Sequence, residues 1–152
     1  MLYMDKEKEK IIQQMLYEKN AEEVLNELHG INDPEILYVY AYNYNWNNGF
    51  EIPKNILLKE CCNLSIALMI FYSADGFRYL QNKDEKNDSL KEWSIFIKDL
   101  YHMILENRFI KNDTKFVPPL SRVQIFKLKK DFVNEEYVFL ESIGNNDLNI
   151  TL

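Results

Sequence analysis

Apolar residues recur along most of the chain at spacings of three and four, the pattern of helices that each bury one stripe. Residues 5–19 alternate acids and bases and then place Ile11, Ile12, Met15 and Leu16 at helical spacing, which predicts a solvated first helix. Asn20, with Glu23 three positions on, forms a capping box for a second helix whose inner face is Val24, Leu25 and Leu28; Gly30 stops it. Asp33-Pro34 then supplies an N-cap and a proline at the first helical position. Beyond it the pattern is in conflict. Tyr38, Tyr40, Tyr42, Tyr44 and Trp46 recur every second residue, as in a strand. Ile36, Leu37, Tyr40, Ala41 and Tyr44 fit a helix, and the strong start at Asp33-Pro34 decides for a helix over 34–44.

Asn45 to Gly49 reads as a turn, because Asn and Gly tolerate left-handed backbone. A short helix follows over 53–60. Asn63 is placed to cap the next, over 63–74, which is apolar on nearly every side and is the candidate central helix. Asp75-Gly76 closes it, and residues 81–88 read as an exposed loop. Asp88 or Ser89 is expected to cap the longest helix, 89–107, whose broad apolar face includes Trp93, Phe96, Ile97, Leu100, Tyr101 and Ile104. After Pro118-Pro119, residues 121–132 fit a helix or in part a strand, with helix preferred. A last helix over 135–143 ends at Gly144. The expected fold is all-α, about seven helices in an irregular orthogonal bundle or a short solenoid of helical pairs, with one domain over 1–144 and a loosely held tail over 145–152.

Charge narrows the partners. Net charge is −6, and residues 1–60 hold 6 basic against 11 acidic side chains. Such a surface repels phosphate backbones and favours a basic protein. The one basic stripe is Arg122, Lys127, Lys129 and Lys130, beside Asp131, Glu135 and Glu136, and nucleic acid is not an expected partner. The most apolar run, Leu64 to Tyr72, is nine residues, half of a membrane span, and the N-terminus lacks a signal-peptide stretch, so the expectation is a cytoplasmic protein without a membrane partner. Adjacent Cys61 and Cys62 read as reduced thiols, one of them in the core. With His29 and His102 alone at distant positions, neither a metal nor another cofactor is expected.

No catalytic motif is present, and no catalytic residue is assigned. The composition, seventeen Asn, ten Tyr and fifteen Lys against four Ala and three Arg, is that of an AT-rich genome, but the Tyr and Asn excess concentrates between Tyr38 and Asn48, where even codon bias would not place it. Tyr42, Tyr44, Asn45, Trp46, Asn47 and Asn48 are therefore candidate partner-binding residues, since Tyr and Trp are enriched in interface hot spots; inward packing of the rings is the structural alternative. Asp75 and Arg78 are a second candidate pair, as an anion clamp or as a cap and salt bridge.

Asn45-Trp46-Asn47-Asn48-Gly49-Phe50-Glu51-Ile52-Pro53, then Ile56-Leu57, Cys62-Asn63-Leu64, Ala67-Leu68, Ile70-Phe71-Tyr72 and Asp75-Gly76, resemble a family of small bacterial proteins known as a domain of unknown function, over roughly residues 34–80. The resemblance implies no catalytic residues. The favoured function is a non-catalytic protein-binding module of the immunity type, neutralising a basic partner, with a small-molecule enzyme using Asp75 or His102 and a helical scaffold subunit as alternatives.

Overall fold

The computed structural model describes residues 4–152; the beginning of the expected domain, 1–3, lies outside them. Helices α1 (Lys6–Tyr17), α2 (Ala21–Leu28), α3 (Pro34–Tyr42), α4 (Glu51–Leu57), α5 (Leu64–Ser73), α6 (Gly76–Gln81), α7 (Lys91–Leu105) and α8 (Arg122–Lys129) follow in order. Short 3₁₀ segments lie at Trp46–Asn48, Asp88–Leu90 and Asn134–Leu140. Pairing outside the helices is limited, among the described residues, to single bridges between Asn63 and Ile110, Thr114 and Asn146, and Phe116 and Ile143. The fold is all-α.

The local starts follow from side-chain chemistry. Asn20 Oδ1 accepts from Glu23 N at 2.9 Å while Glu23 Oε1 accepts from Asn20 N at 3.1 Å, the reciprocal box that satisfies two orphan donors. Asp33 caps α3 with Pro34 at its first turn, and Asn63 Oδ1 accepts from Ile66 N at 2.9 Å to open α5. Within residues 121–132 the structure is helical over Arg122–Lys129, with Ser121 and Gln124 forming a second capping box. The start of the longest helix differs from expectation: Asn87, not Asp88 or Ser89, accepts from Ser89 N at 3.1 Å and opens a 3₁₀ turn that leads into α7. Two further differences concern helices themselves. Asp75 turns the chain in the left-handed region, φ 63°, so α5 is followed at once by the short α6, and the expected helix over 135–143 is a 3₁₀ coil over Asn134–Leu140.

α1 packs on α3, α3 on α5 and α5 on α7, while α2 packs on α4 and α6 on α5 and α7. This is the contact pattern of stacked helical pairs, with α1, α3, α5 and α7 as one row. α5 lies inside that row, and every residue from Leu64 to Phe71 is buried. The tyrosine alternation is explained by the same row: at about 100° per residue, Tyr38 and Tyr42 lie on one side of α3 and Tyr40 on the other, with Tyr44 just past the helix end, its ring 6.2 Å from that of Tyr40. Tyr38, Tyr40 and Tyr44 are buried, so α3 needs aromatic bulk on both sides.

The final third wraps this stack. Lys115 N donates to Asn146 O at 2.8 Å, Phe116 and Ile143 exchange both backbone hydrogen bonds at 2.8 and 2.9 Å, and Asn43 Nδ2 donates to Ile150 O at 3.2 Å. Residues 145–152, expected as a loose tail, thus run against 113–116 and α3, with Leu148, Ile150 and Leu152 against the core. Gly144, at φ 73°, permits this approach, since a Cβ there would lie 2.2 Å from Thr114 O.

Gly76 is the tightest point between α5 and α6: a Cβ would meet the Phe71 ring at 2.3 Å and Phe71 O at 2.5 Å. Gly76→Ala is expected to lower stability by about 3 kcal/mol, the upper end for overpacked sites. Gly30→Ala, whose nearest contact is Glu27 O at 3.8 Å, should be close to neutral. Urea denaturation of both variants checks the contrast.

Candidate functional site

The eight candidate residues do not form one surface. Tyr44 is buried, donating its hydroxyl to Gly49 O at 2.7 Å, and its ring meets Trp46 edge-on at 5.2 Å. Trp46 continues inward to Phe96 at 5.9 Å and Phe50 at 6.0 Å. The aromatic rings of the turn are its anchor to the core. Asn45 shapes the turn by accepting from Asn47 N at 3.0 Å, and Asn45, Asn47 and Asn48 present their outer edges to solvent. Tyr42 is 47% exposed but faces a different cleft, of about 490 Å³, with Tyr38, Tyr72, Val117 and Lys115. In that cleft burial, followed by the neighbouring Tyr42 and Asp147, pushes the Tyr38 hydroxyl up to about 12.

Asp75 and Arg78 lie at the α5–α6 corner, away from the turn. Asp75 makes no capping hydrogen bond; its contribution is the left-handed backbone that Asp tolerates better than most residues. Arg78 is engaged by Glu85, Nε to Oε2 at 2.8 Å and Nη2 to Oε1 at 2.5 Å, and lies over the Trp93 ring at 5.8 Å. The hydrogen bonds between them raise the guanidinium further and hold the Glu85 carboxyl below its usual range. Of the two readings of Arg78, the salt bridge is the one its geometry matches: the pair fastens the exposed 81–88 loop to α6. His102 is exposed beside Tyr101, and neither it nor Asp75 lines any of the clefts described here.

The asparagine turn separates two clefts. One, of about 450 Å³, opens toward α1 and α2 and is lined by Tyr17, Lys19, Asn43, Asn45 and Asn48. The other, of about 650 Å³, opens toward α4 and α7 and is lined by Asn48, Glu51, Lys54, Leu58, Glu92 and Ile95. Leu58 and Lys54 also line an apolar hollow of about 210 Å³ with Leu57, Phe96, Leu100 and Met103, edged by Asp99. Together they form a groove with apolar walls and three carboxylates against one lysine. Leu58 is 75% exposed and Ile95 50% exposed, large side chains that leave apolar area in water. Sequence reading missed both. The available signal was the run Ile56-Leu57-Leu58: a two-turn helix buries one stripe, so one of three consecutive apolar residues must face out.

The other concentration of chemistry is internal. Glu136 is 4% exposed and its carboxylate accepts from Lys83 Nζ at 2.6 Å, Tyr101 OH at 2.8 Å and Val133 N at 3.1 Å. Burial pushes this carboxyl up, but the three donors outweigh it and hold the carboxyl below its usual range. Burial, then the bond to Glu136, raises the Tyr101 hydroxyl. A carboxylate with three donors is a structural tie, here between the 81–88 loop, α7 and the 3₁₀ coil, rather than a free base. Cys62 is buried and Cys61 partly so, both free, and burial raises both thiols. Among the described residues no group of three or more His, Cys, Asp or Glu side chains is arranged to hold a metal ion.

Glu136→Gln is expected to cost about 1–3 kcal/mol, since it leaves Lys83 and Tyr101 with a weaker acceptor. Because the folded carboxyl is lowered, its contribution is complete above pH 4.5 and is lost as pH falls through the lowered folded value. Denaturation midpoints measured from pH 7 to 3 should therefore converge for wild type and Glu136→Gln toward the acid end.

No curated protein and no solved structure gives a significant match to the chain. The resemblance read from residues 34–80 reaches further in a comparison with family models, to the last turn of α7, and takes in the asparagine turn, α4, the central α5 and both walls of the groove. Residues 32–105 match the family described as a domain of unknown function, DUF4274.

Proposed function

We propose that the protein is a non-catalytic binding module that engages a basic protein, in the manner of an immunity protein, through the asparagine turn and the groove between α4 and α7. The observation that supports this most is the pairing of exposed Leu58 and Ile95 with Glu51, Glu92 and Asp99 in one concave surface. Exposed apolar side chains give an incoming chain something to desolvate, and a carboxylate rim attracts and orients cations. The net charge of −6, concentrated in the first sixty residues, adds long-range attraction for the same partner. The amide side chains of Asn47 and Asn48 offer donors and acceptors at the rim without a desolvated charge. Relative to the sequence expectation, the binding residues shift from the buried ring of Tyr44 and the half-buried ring of Trp46 to the groove they support.

The small-molecule alternative built on Asp75 or His102 requires a pocket with a converging polar partner, and no such pocket is described around either residue. The binding reading is tested on the product of an adjoining gene. Co-expressed with it, wild type should co-purify and protect the cell. Leu58→Glu or Ile95→Glu should weaken binding at least tenfold, about 1.4 kcal/mol, with unchanged thermal stability because both positions are exposed. Affinity should also fall with added salt. A partner that binds both variants as tightly as wild type would move the interface elsewhere, and the absence of any encoded partner would count against the function.

A further inference from the structure

α8 exposes apolar side chains on its outer side. A helix on a protein surface normally turns its apolar stripe inward, yet within Arg122–Lys129 only Leu128 is buried, while Val123 is 61% and Phe126 63% exposed. At about 100° per residue, Phe126, Lys130 and Val123 fall within about 60° of one another on the side away from Leu128. Arg122 and Lys129 flank them on one side and Lys127 on the other. Lys130 Nζ lies 4.8 Å from the centre of the Phe126 ring, and Val133, just beyond, is 59% exposed. No acid occurs from Ser121 to Lys130. On a chain of net charge −6, this one ridge is cationic and apolar at its crest.

We propose that the α8 ridge is a peripheral attachment site for an anionic lipid bilayer, with Phe126 and Val123 entering the headgroup boundary and Arg122, Lys127, Lys129 and Lys130 pairing with lipid phosphates. An apolar crest between flanking cations is the arrangement that lies in a membrane interface, because long basic side chains reach outward to headgroups while the rings bury. Phe126 and Lys130 at the crest line none of the clefts described above, whereas Val123 and Lys127 border a cleft of about 440 Å³ between α8 and α6, together with Phe77 and Asp131. Clustered cations at a membrane surface each contribute to attraction by anionic lipid. Exposed Asp131 and Glu135 follow the ridge directly and reduce its charge, while acids more than about 8 Å from the headgroups are screened at physiological ionic strength. No helix among the described residues is long and apolar enough to cross a membrane, and surface attachment needs none. The earlier expectation of no membrane partner rested on the absence of a span and does not bear on this mode of contact.

The test uses the full chain and vesicles of phosphatidylcholine with or without phosphatidylserine. Wild type should sediment with phosphatidylserine vesicles only, and release on raising the salt. Phe126→Glu and the triple variant Lys127→Gln, Lys129→Gln, Lys130→Gln should each lower vesicle affinity at least tenfold with unchanged thermal melting, since all four side chains are exposed. In Phe126→Trp, the new indole should shift to the blue on adding phosphatidylserine vesicles, which reports insertion of the crest itself. Equal binding to both vesicle types, no binding, or binding undiminished by these variants would overturn the proposal. So would self-association, or capture of an acidic protein, that Phe126→Glu abolishes in place of vesicle binding, because the crest would then be a protein interface.

Discussion

The burial of α5 on all sides is the constraint from which the rest of the structure follows. Leu64 to Phe71 contains one polar side chain, Ser65, and all eight residues are buried, so the helix must be enclosed rather than laid on a surface. Enclosure makes its ends expensive, because the first N–H and last C=O groups of a helix lack partners within it. Here the partners come from far along the chain. Leu64 N donates to Ile110 O at 2.8 Å, and Ser65 Oγ donates to Thr114 O at 2.6 Å, which draws the segment after α7 across the start of α5. At the other end Trp93 Nε1 donates to Ala74 O at 2.6 Å, and Tyr72 OH donates to Phe139 O. The irregular final third is thus a set of hydrogen-bond partners for one apolar helix. Phe139, fully buried between Phe71 and Tyr101, carries the packing side of the same closure. Among the buried side-chain nitrogens and oxygens of the described residues, only Asn63 Nδ2 is left without a partner, while its Oδ1 holds the cap.

Most of this scaffold was legible because it is local. Asn20 with Glu23, Asp33 with Pro34, and Asn63 before Leu64 are chemical starts that operate within four residues, and each forms as the spacing suggested. The tyrosine alternation was ambiguous for a physical reason: two i,i+4 pairs on opposite sides of a helix have the same period as one face of a strand. What the sequence could not display were contacts made at a distance. The run 134–140 is tied down by Lys83 and Tyr101 on Glu136 and by Phe139 against Phe71 and Tyr101, none of which is visible in local spacing. Residues 145–152 look polar and loose, yet Asn145 and Asn146 meet Asp113 and Lys115 through backbone groups that any sequence carries.

The candidate site was half legible for a related reason. Composition marks where large rings are, not which way they point. Tyr44 and Trp46 were singled out as exposed anchors and instead join the turn to Phe96 across the core. Their neighbours Asn47 and Asn48 do reach solvent, Asn48 at the edge of the groove. The groove could be inferred only once α4 and α7 were known to be its walls, because Leu58 and Ile95 are nearly forty residues apart in the chain and each looks like an ordinary helix residue.

The two exposed apolar surfaces carry opposite charge, and this has a consequence for self-association. The α4–α7 groove has three carboxylates and one lysine, while the α8 ridge has four cations with Asp131 at its end. A symmetric dimer places a surface against its own copy, which would set four cations against four, or three carboxylates against three. At close range such like-charge contact costs several kcal/mol, more than the few exposed apolar side chains at each surface are placed to offset. Charge therefore keeps either surface from closing on itself while leaving it open to a partner of the opposite sign. That division explains how large side chains such as Leu58 and Phe126 can remain in water on one small chain. Each apolar crest or wall is flanked by charges that disfavour contact with the same surface of another copy but not with the opposite one, and net charge alone, being a sum, conceals that the two faces differ.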